Sequence, residues 1–220
     1  MTIYKANSPV STLLKAFSLL CILFLTACST LRVEEPITTN IPAQQRFQQL
    51  NNVSSWKLSG KIAFFQGEER ERVNLYWSMD ESVPSQQLNL STYLGISVLQ
   101  LNSEKNHHTL KIDGKKYHGE NLDLLIEELT GLTLPTKALS YWLKGTPYDT
   151  EHDFITYDSR TALPKTLTSS LANAYGQQQQ WHINYSRYKM VNNVALATKF
   201  TIKTQNLTIK IAIDKWQVNP

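Results

Sequence analysis

Apolar and polar residues alternate one by one from Trp56 to Phe64. Successive side chains of a β-strand point to opposite faces, so this alternation predicts a strand with one buried face. The buried face would carry Trp56, Leu58, Gly60, Ile62 and Phe64. The same period of two recurs in Val73, Leu75 and Trp77, and again in Leu88 and Leu90. Consecutive antiparallel strands that cover one side of a core fit this pattern best.

Further strands are predicted downstream. Asp113-Gly114 separates two short runs, and this dipeptide favours a two-residue hairpin turn because both positions adopt positive φ. Alternation also predicts strands at residues 181–185, 199–203 and 207–213. Residues 158–180 contain Pro164 and end in consecutive glutamines, and no strand pairing is predicted for them.

Apolar residues at helical spacing occur in three places. Pro42 precedes Ala43, Phe47 and Leu50, which predicts a short amphipathic helix over residues 42–50. Two further apolar sets lie between the strand regions: Leu122, Leu125, Ile126 and Leu129, ended by Gly131, and Leu139, Trp142 and Leu143, ended by Gly145. Strands on both sides of a helical pair predict an α+β fold in which the helices cover an antiparallel sheet.

The amino-terminal segment has the parts of a bacterial export signal. Lys5 and Lys15 precede an apolar run at residues 16–25, which is about half the length of 20 or so residues that a membrane-spanning helix needs. Leu25-Thr26-Ala27-Cys28 follows and resembles the lipobox of bacterial lipoproteins, in which the cysteine receives diacylglycerol and then a third, palmitate-type acyl chain. Several acyl chains anchor a protein stably. An ordinary secretory signal with an incidental Cys28 is the alternative.

This resemblance predicts the organisation of the chain. Residues 1–27 would be a cleaved signal peptide, residues 28–41 the lipidated Cys28 with a flexible polar tether, and residues 42–220 the folded domain. Ser29, rather than an aspartate, follows the cysteine, which in such lipoproteins indicates the outer membrane. Because Cys21 would be removed and Cys28 acylated, no cysteine would remain for a disulfide. Packing alone would then stabilise the domain.

Charge and motifs exclude several classes of function. Removal of Lys5 and Lys15 leaves 20 basic against 18 acidic residues, a balance that does not indicate nucleic-acid binding. The histidines are scattered and predict no metal site. The chain has no Gly-x-Ser-x-Gly elbow, no His-Glu-x-x-His motif and no glycine-rich phosphate loop. We therefore predict a protein without catalytic residues, metal or cofactor.

Several short motifs, taken in order, resemble the LolB family of outer-membrane lipoprotein receptors. They are residues 56–64 (WKLSGKIAF), Leu94-Gly95, Leu129-Thr130-Gly131, Leu134-Pro135, residues 141–145 (YWLKG) and Trp216. The resemblance implies an incomplete, strongly curved antiparallel β-barrel with a helical lid that encloses a hydrophobic cavity, as in the related LolA carriers. It also implies a monomer, anchored by lipid and facing the periplasm, that takes triacylated lipoproteins from a LolA-like carrier and transfers them to outer-membrane lipid.

The cavity implied by the family would be lined by the inward apolar residues of strands and helices. The predicted lining is Trp56, Leu58, Ile62, Phe64, Leu75, Trp77, Leu88, Leu90, Leu125, Ile126, Leu139 and Trp142. A structural or scaffold lipoprotein with a solid β core would use the same residues, and this remains the alternative function. A lipid hydrolase is a third hypothesis.

Tyr93-Leu94-Gly95 falls at the connection between two predicted strands, residues 88–91 and 96–101. We expect its tip to expose Leu94, which the resemblance identifies as the residue that inserts into the membrane. Tyr93 is a type of residue that favours membrane interfaces and would assist. Alternatively, Leu94 folds under the hairpin, or the two segments form one bulged strand.

Overall fold

The computed structural model describes Ile37 and residues 41–219. The predicted signal peptide, the lipidation site Cys28 and nearly all of the tether lie outside the described residues.

The described residues contain an antiparallel sheet of eleven strands. The strands are β1 (Ser55–Gln66), β2 (Glu69–Asp80), β3 (Ser85–Ser91), β4 (Ser97–Glu104), β5 (His107–Ile112), β6 (Lys115–Gly119), β7 (Asp153–Tyr157), β8 (Pro164–Ala172), β9 (Gln178–Val191), β10 (Val194–Lys203) and β11 (Thr208–Asn219). Their spatial order is β6-β5-β4-β3-β2-β1-β11-β10-β9-β8-β7. Two meanders in chain order are therefore joined by the pairing of β1 with β11.

The sheet is not closed into a barrel, because its edge strands β6 and β7 do not pair with each other. The chain between these two edges forms two helices, α2 (Leu122–Thr130) and α3 (Thr136–Lys144), and a third helix, α1 (Ala43–Asn51), precedes the sheet. The predicted α+β class, with an incomplete antiparallel barrel and helices at its open side, is confirmed.

Local signals account for the helix ends. The Asn121 side chain accepts a hydrogen bond from the Leu124 backbone N–H and caps α2, while Gly131 and Gly145 end α2 and α3 with φ of 69° and 74°. The two predicted helices that end at Gly131 and Gly145 are therefore confirmed. Asp123 Oδ1 accepts hydrogen bonds from the backbone N and from Oγ1 of Thr136, which connects the start of α2 to the start of α3.

The hairpin at Asp113-Gly114 is confirmed, with φ of 50° and 81° at these residues. The expectation for residues 158–180 was wrong. Strand β8 lies within them and pairs with β7 and β9, and the glutamines extend into β9. Pro164 is the first residue of β8, where the missing N–H costs no ladder hydrogen bond, and the exposed side chains of Gln178 and Gln180 leave main-chain pairing intact.

Strands β1 and β11 approach each other unusually closely at Gly60. Their register shifts between Ser59 and Gly60, which marks a β-bulge in the pairing that joins the two meanders. A Cβ atom on Gly60 would lie 2.1 Å from the carbonyl oxygen of Ala212 and 2.8 Å from the Cα of Ile213. Bulges bend a strand and increase its twist, so this glycine permits the curvature of the sheet.

Arg46 of α1 is only 5% exposed and fastens this helix to the rest of the domain. Its guanidinium donates hydrogen bonds to three carbonyl oxygens, those of Lys144, Gly145 and Ala195, at 3.0 to 3.3 Å. Burial lowers the pKa of Arg46 from its usual value. The cation thus compensates the carbonyls left free at the end of α3 and connects α1, α3 and β10.

We expect Arg46→Met to destabilise the domain by about 3 kcal/mol, since the apolar stem is retained but buried carbonyls lose their donors. Equilibrium urea unfolding would measure the loss as a lower midpoint. Arg70→Met is the matched control, because Arg70 is exposed on β2, and its unfolding midpoint should stay near that of the unchanged protein. Equal midpoints for both variants would contradict the role given to Arg46.

Candidate functional site

An apolar cavity of about 100 Å³ lies between the sheet and the helices α2 and α3. Strands β1 to β5, β10 and β11 contribute its walls through the inward residues of their alternation. Residues Leu132 and Leu134, from the short linker between the two helices, complete the enclosure. The period of two seen in the sequence thus places inward side chains of seven strands around a single space.

Most of the predicted lining residues meet at this cavity. Those that line it are Ile62, Phe64, Leu75, Trp77, Leu88, Leu90, Ile126 and Leu139. Sequence reasoning missed Leu99, Leu101, Leu110, Leu132, Leu134, Leu143, Ile202, Ile209 and Ile211. Alternation in β11 already indicated Ile209 and Ile211, whereas the linker leucines have no periodic signal. That these residues bind acyl chains stays a prediction.

Four predicted lining residues are instead packed in filled core. Trp56 contacts Trp77 and Trp216 in edge-to-face geometry, with ring centroids 5.3 and 5.8 Å away. Trp142 packs against Trp181 and donates a hydrogen bond from Nε1 to Asp153 Oδ2. Leu58 is buried in the cluster that contains both groups of tryptophans, and Leu125 is buried in a separate cluster between α2 and strands β4 and β5. Trp56 and Leu58 lie closer to the start of β1 than the cavity-lining Ile62 and Phe64, whereas Leu125 and Trp142 face other parts of the core from helices that also line the cavity.

The polar side chains in the wall are already hydrogen-bonded within the protein. Trp77 Nε1 donates to Gln86 Oε1 at 3.2 Å, and Thr130 Oγ1 donates to the Ile126 carbonyl at 2.7 Å. Thr136 Oγ1 donates to the carboxylate of Asp123, whose pKa is raised by burial, an effect that the hydrogen bonds from Thr136 oppose. The cavity therefore offers hydrocarbon contacts, and it suits an apolar ligand rather than a polar one.

The volume of the cavity limits what it holds in this conformation. Pockets for drug-sized ligands are roughly 300 to 1,000 Å³, and a cavity of about 150 Å³ holds a benzene molecule. The observed 100 Å³ accommodates only a short piece of hydrocarbon. A long acyl chain requires the helices or their linker to move away from the sheet.

The connection between β3 and β4 exposes three large apolar side chains. Tyr93 is 88% exposed, Leu94 69% and Ile96 64%. Backbone hydrogen bonds from Thr92 N to Ile96 O and from Gly95 N to Thr92 O close the turn, so the exposure belongs to a defined tip. Leu94 does not fold under the hairpin. Ile96 was not predicted, although it directly follows Gly95.

The described part of the chain shows no cluster of three or more histidine, cysteine, aspartate or glutamate side chains that could hold a metal ion. Within residues 41–219, no helix is both long and apolar enough to span a bilayer. The cavity and the exposed tip are two features that point to a function.

Comparison with known proteins identifies a family. The family described as "Outer membrane lipoprotein LolB" matches residues 54–216. An outer-membrane lipoprotein LolB of Psychromonas ingrahamii is 30% identical over 196 residues, which cover 89% of this chain and 91% of that protein. The LolB of Tolumonas auensis is 29% identical over 199 residues, covering 90% and 93% of the two chains.

Solved structures share the fold at very low sequence identity. A DUF1329 family protein from Desulfovibrio piger superposes with a TM-score of 0.52 at 7% identity, covering 80% of this chain and 90% of that chain. A LolA superfamily protein from Nitrosomonas europaea superposes with a TM-score of 0.50 at 5% identity, covering 82% and 94%. These similarities concern the fold alone.

Proposed function

Because this chain belongs to the LolB family of outer-membrane lipoproteins, we propose that it accepts triacylated lipoproteins from a LolA-like periplasmic carrier and inserts them into the inner leaflet of the outer membrane. The family is one of lipoprotein receptors rather than enzymes. Transfer proceeds by noncovalent binding of acyl chains, without a covalent step.

The observation that carries this proposal is the apolar cavity, in which each polar side chain of the wall makes a hydrogen bond within the protein. Burial of each CH₂ group contributes about 0.8 kcal/mol, so sheltering ten methylenes offsets roughly 8 kcal/mol of exposure to water. The strength of such binding depends on the apolar surface area that is buried, and few directional bonds contribute to it. It is therefore strong enough to hold acyl chains and remains reversible.

The small observed volume implies that uptake includes opening of the cavity. The segment that opens is α2, the linker with Leu132 and Leu134, and α3, because this segment covers the space between the two sheet edges. Gly131, with φ of 69°, allows the chain to turn sharply where α2 ends. Movement of this helix–linker–helix segment away from the sheet would join the cavity to the open side of the barrel.

The proposed function also includes attachment of the protein to the membrane. Cys28 would carry the acyl chains, and the tether would let the monomeric domain, residues 42–220, turn over the periplasmic surface of the membrane. Leu94, assisted by Tyr93, would then enter the bilayer during release of the cargo. Their exposure at a defined turn supports this role.

The test of this function is a transfer assay with purified components. A labelled lipoprotein bound to the carrier is mixed with this protein, and the label is followed to the receptor and then to membranes. We expect both steps to occur without ATP. A cavity that stays empty while the protein binds other envelope components would instead establish the structural or scaffold alternative.

We expect Leu90→Trp to reduce uptake of the labelled lipoprotein roughly tenfold, because the larger side chain occupies space equivalent to about two methylenes of bound chain. Leu90 lines the cavity from β3. The control is Leu90→Met, a change that conserves volume and should keep uptake near normal. Unchanged uptake by a folded Leu90→Trp protein would show that acyl chains bind elsewhere.

A further inference from the structure

A second concave site lies on the outer face of the sheet, opposite the cavity. It is a groove of about 560 Å³ across strands β2, β1, β11 and β10. Lys61, Ala63 and Phe65 line it from β1, and they alternate with Ile62 and Phe64, which line the cavity. The same strands thus present hydrocarbon on one face and this groove on the other.

Strand register places two lysines on either side of an alanine. Lys61 of β1 is opposite Ala212 of β11, and Ala212 is opposite Lys199 of β10. Adjacent strands lie about 4.8 Å apart, so the two lysine Cα atoms are roughly 10 Å apart across the groove. The alanine leaves the space between them open.

A similar arrangement, an alanine with a cation on each side, is centred on the neighbouring strand β1. Ala63 of β1 is opposite Arg72 of β2 on one side and Lys210 of β11 on the other. The Lys210 ammonium lies 5.1 Å from the centre of the Phe65 ring, which holds it over the groove. Four cations therefore surround a floor of two alanines.

The charge in this groove is not compensated by the protein. No acidic residue lines the groove, and none of its four cations forms an ion pair within the described residues. Like charges gathered in one groove raise its positive potential and repel one another, an effect that physiological salt screens over a Debye length of about 8 Å. An anion bound between them would relieve this repulsion and accept hydrogen bonds from several donors.

The groove continues into the exposed tip. Tyr93 lies in its wall, and the side chain of Asn74, which also lines it, donates a hydrogen bond to the Thr92 carbonyl at 2.9 Å. Both features therefore lie at the same end of the sheet. A bilayer that receives Leu94 would bring its head groups to the four cations.

We propose that this groove binds the phosphate head groups of anionic phospholipids at the membrane surface and so orients the domain on the bilayer. The inference rests on the proposed function, because it takes the tip to be the part that meets lipid. Each basic residue at an anionic surface strengthens binding severalfold, and four on one face act together.

Energy transfer from the domain to the bilayer tests this inference. The full lipidated chain, labelled with a donor at Asn184→Cys on the outer face of β9, is reconstituted in vesicles that carry a lipid-bound acceptor. Vesicles of phosphatidylcholine are compared with vesicles that also contain phosphatidylglycerol. Phosphatidylglycerol should raise energy transfer. The double variant Lys199→Gln with Lys210→Gln should lower the equilibrium constant between the membrane-docked and undocked domain, obtained from the energy transfer, roughly 30-fold.

Lys57→Gln with Lys215→Gln is the matched control. These lysines are exposed towards the other end of the same strands, and the variant has the same net charge as the groove variant. Its energy transfer should equal that of the unchanged chain. No dependence on phosphatidylglycerol, or equal effects of the two double variants, would overturn the inference.

Two parallel measurements separate the other outcomes. If the groove lysines matter only when the carrier is added, an acidic protein surface, rather than lipid, is the occupant and the inference is wrong. Lipoprotein transfer is followed in the same vesicles. Transfer that proceeds without any dependence on phosphatidylglycerol overturns only the inference about the groove. Failure of transfer by the unchanged chain overturns the proposed function.

Discussion

Replacing Leu94 with glutamate is expected to block insertion of cargo into the outer membrane while leaving the fold and uptake from the carrier intact. Leu94 is 69% exposed, so its replacement removes almost no packing. Entry of a leucine into lipid contributes roughly 1.5 to 3 kcal/mol, and a carboxylate opposes entry. We expect release to membranes to fall roughly 100-fold, measured as labelled lipoprotein that floats with vesicles.

Val83→Glu provides the control for this experiment. Val83 is also a largely exposed aliphatic residue, 66% exposed, in a connection between strands, but it lies between β2 and β3 at the opposite end of the sheet. Its replacement should leave release unchanged. If Leu94→Glu released cargo at the normal rate, or if both variants failed equally, the tip would not be the inserting element.

The second large effect is expected at Gly60, where alanine should destabilise the domain by roughly 4 kcal/mol. A Cβ atom 2.1 Å from the Ala212 carbonyl cannot be accommodated by rotating a side chain, because the contact is with backbone. Strands β1 and β11 would have to separate at the bulge that joins the two meanders. Thermal and urea unfolding would report the loss directly.

Gly119→Ala is a close control, since Gly119 also lies in a strand of this sheet. Its added Cβ would meet only side-chain atoms of Leu125, at 3.6 Å or more, which is ordinary contact distance. Its free energy of unfolding should stay within about 0.5 kcal/mol of that of the unchanged protein. Similar stability of the two variants would mean that Gly60 does not set the separation of β1 and β11.

Local signals in the sequence predicted much of the fold because their causes are local. Alternation sets which face of a strand is buried, Asp113-Gly114 favours positive φ, and Gly131 and Gly145 end helices whatever lies around them. The tip at Leu94 was also predictable, since a short Gly-containing connection between two strands must turn. Residues 158–180 misled the prediction, because proline and glutamine indicate loops only when no neighbouring strand pairs with them.

Periodicity cannot distinguish the wall of a cavity from solid core, since both use the same inward positions. Trp56 and Ile62 lie on the same face of β1, yet Trp56 packs in a filled tryptophan cluster and Ile62 lines the cavity. Arg46 gave no signal of burial, because its acceptors are carbonyls of residues 144, 145 and 195, about 100 to 150 positions away in the chain.

Hydrophobic period and turn chemistry act within a few residues, so local patterns alone predicted most of the strands, the helices and the exposed Leu94. Contacts between distant parts of the chain establish where the interior stays empty, how Arg46 is satisfied and which outward lysines share a groove. The groove depends on strand register, and the hydrogen bonds of Arg46 depend on the packing of α1 against α3 and β10. Contacts between elements far apart in the chain, rather than any local preference, determine all three features.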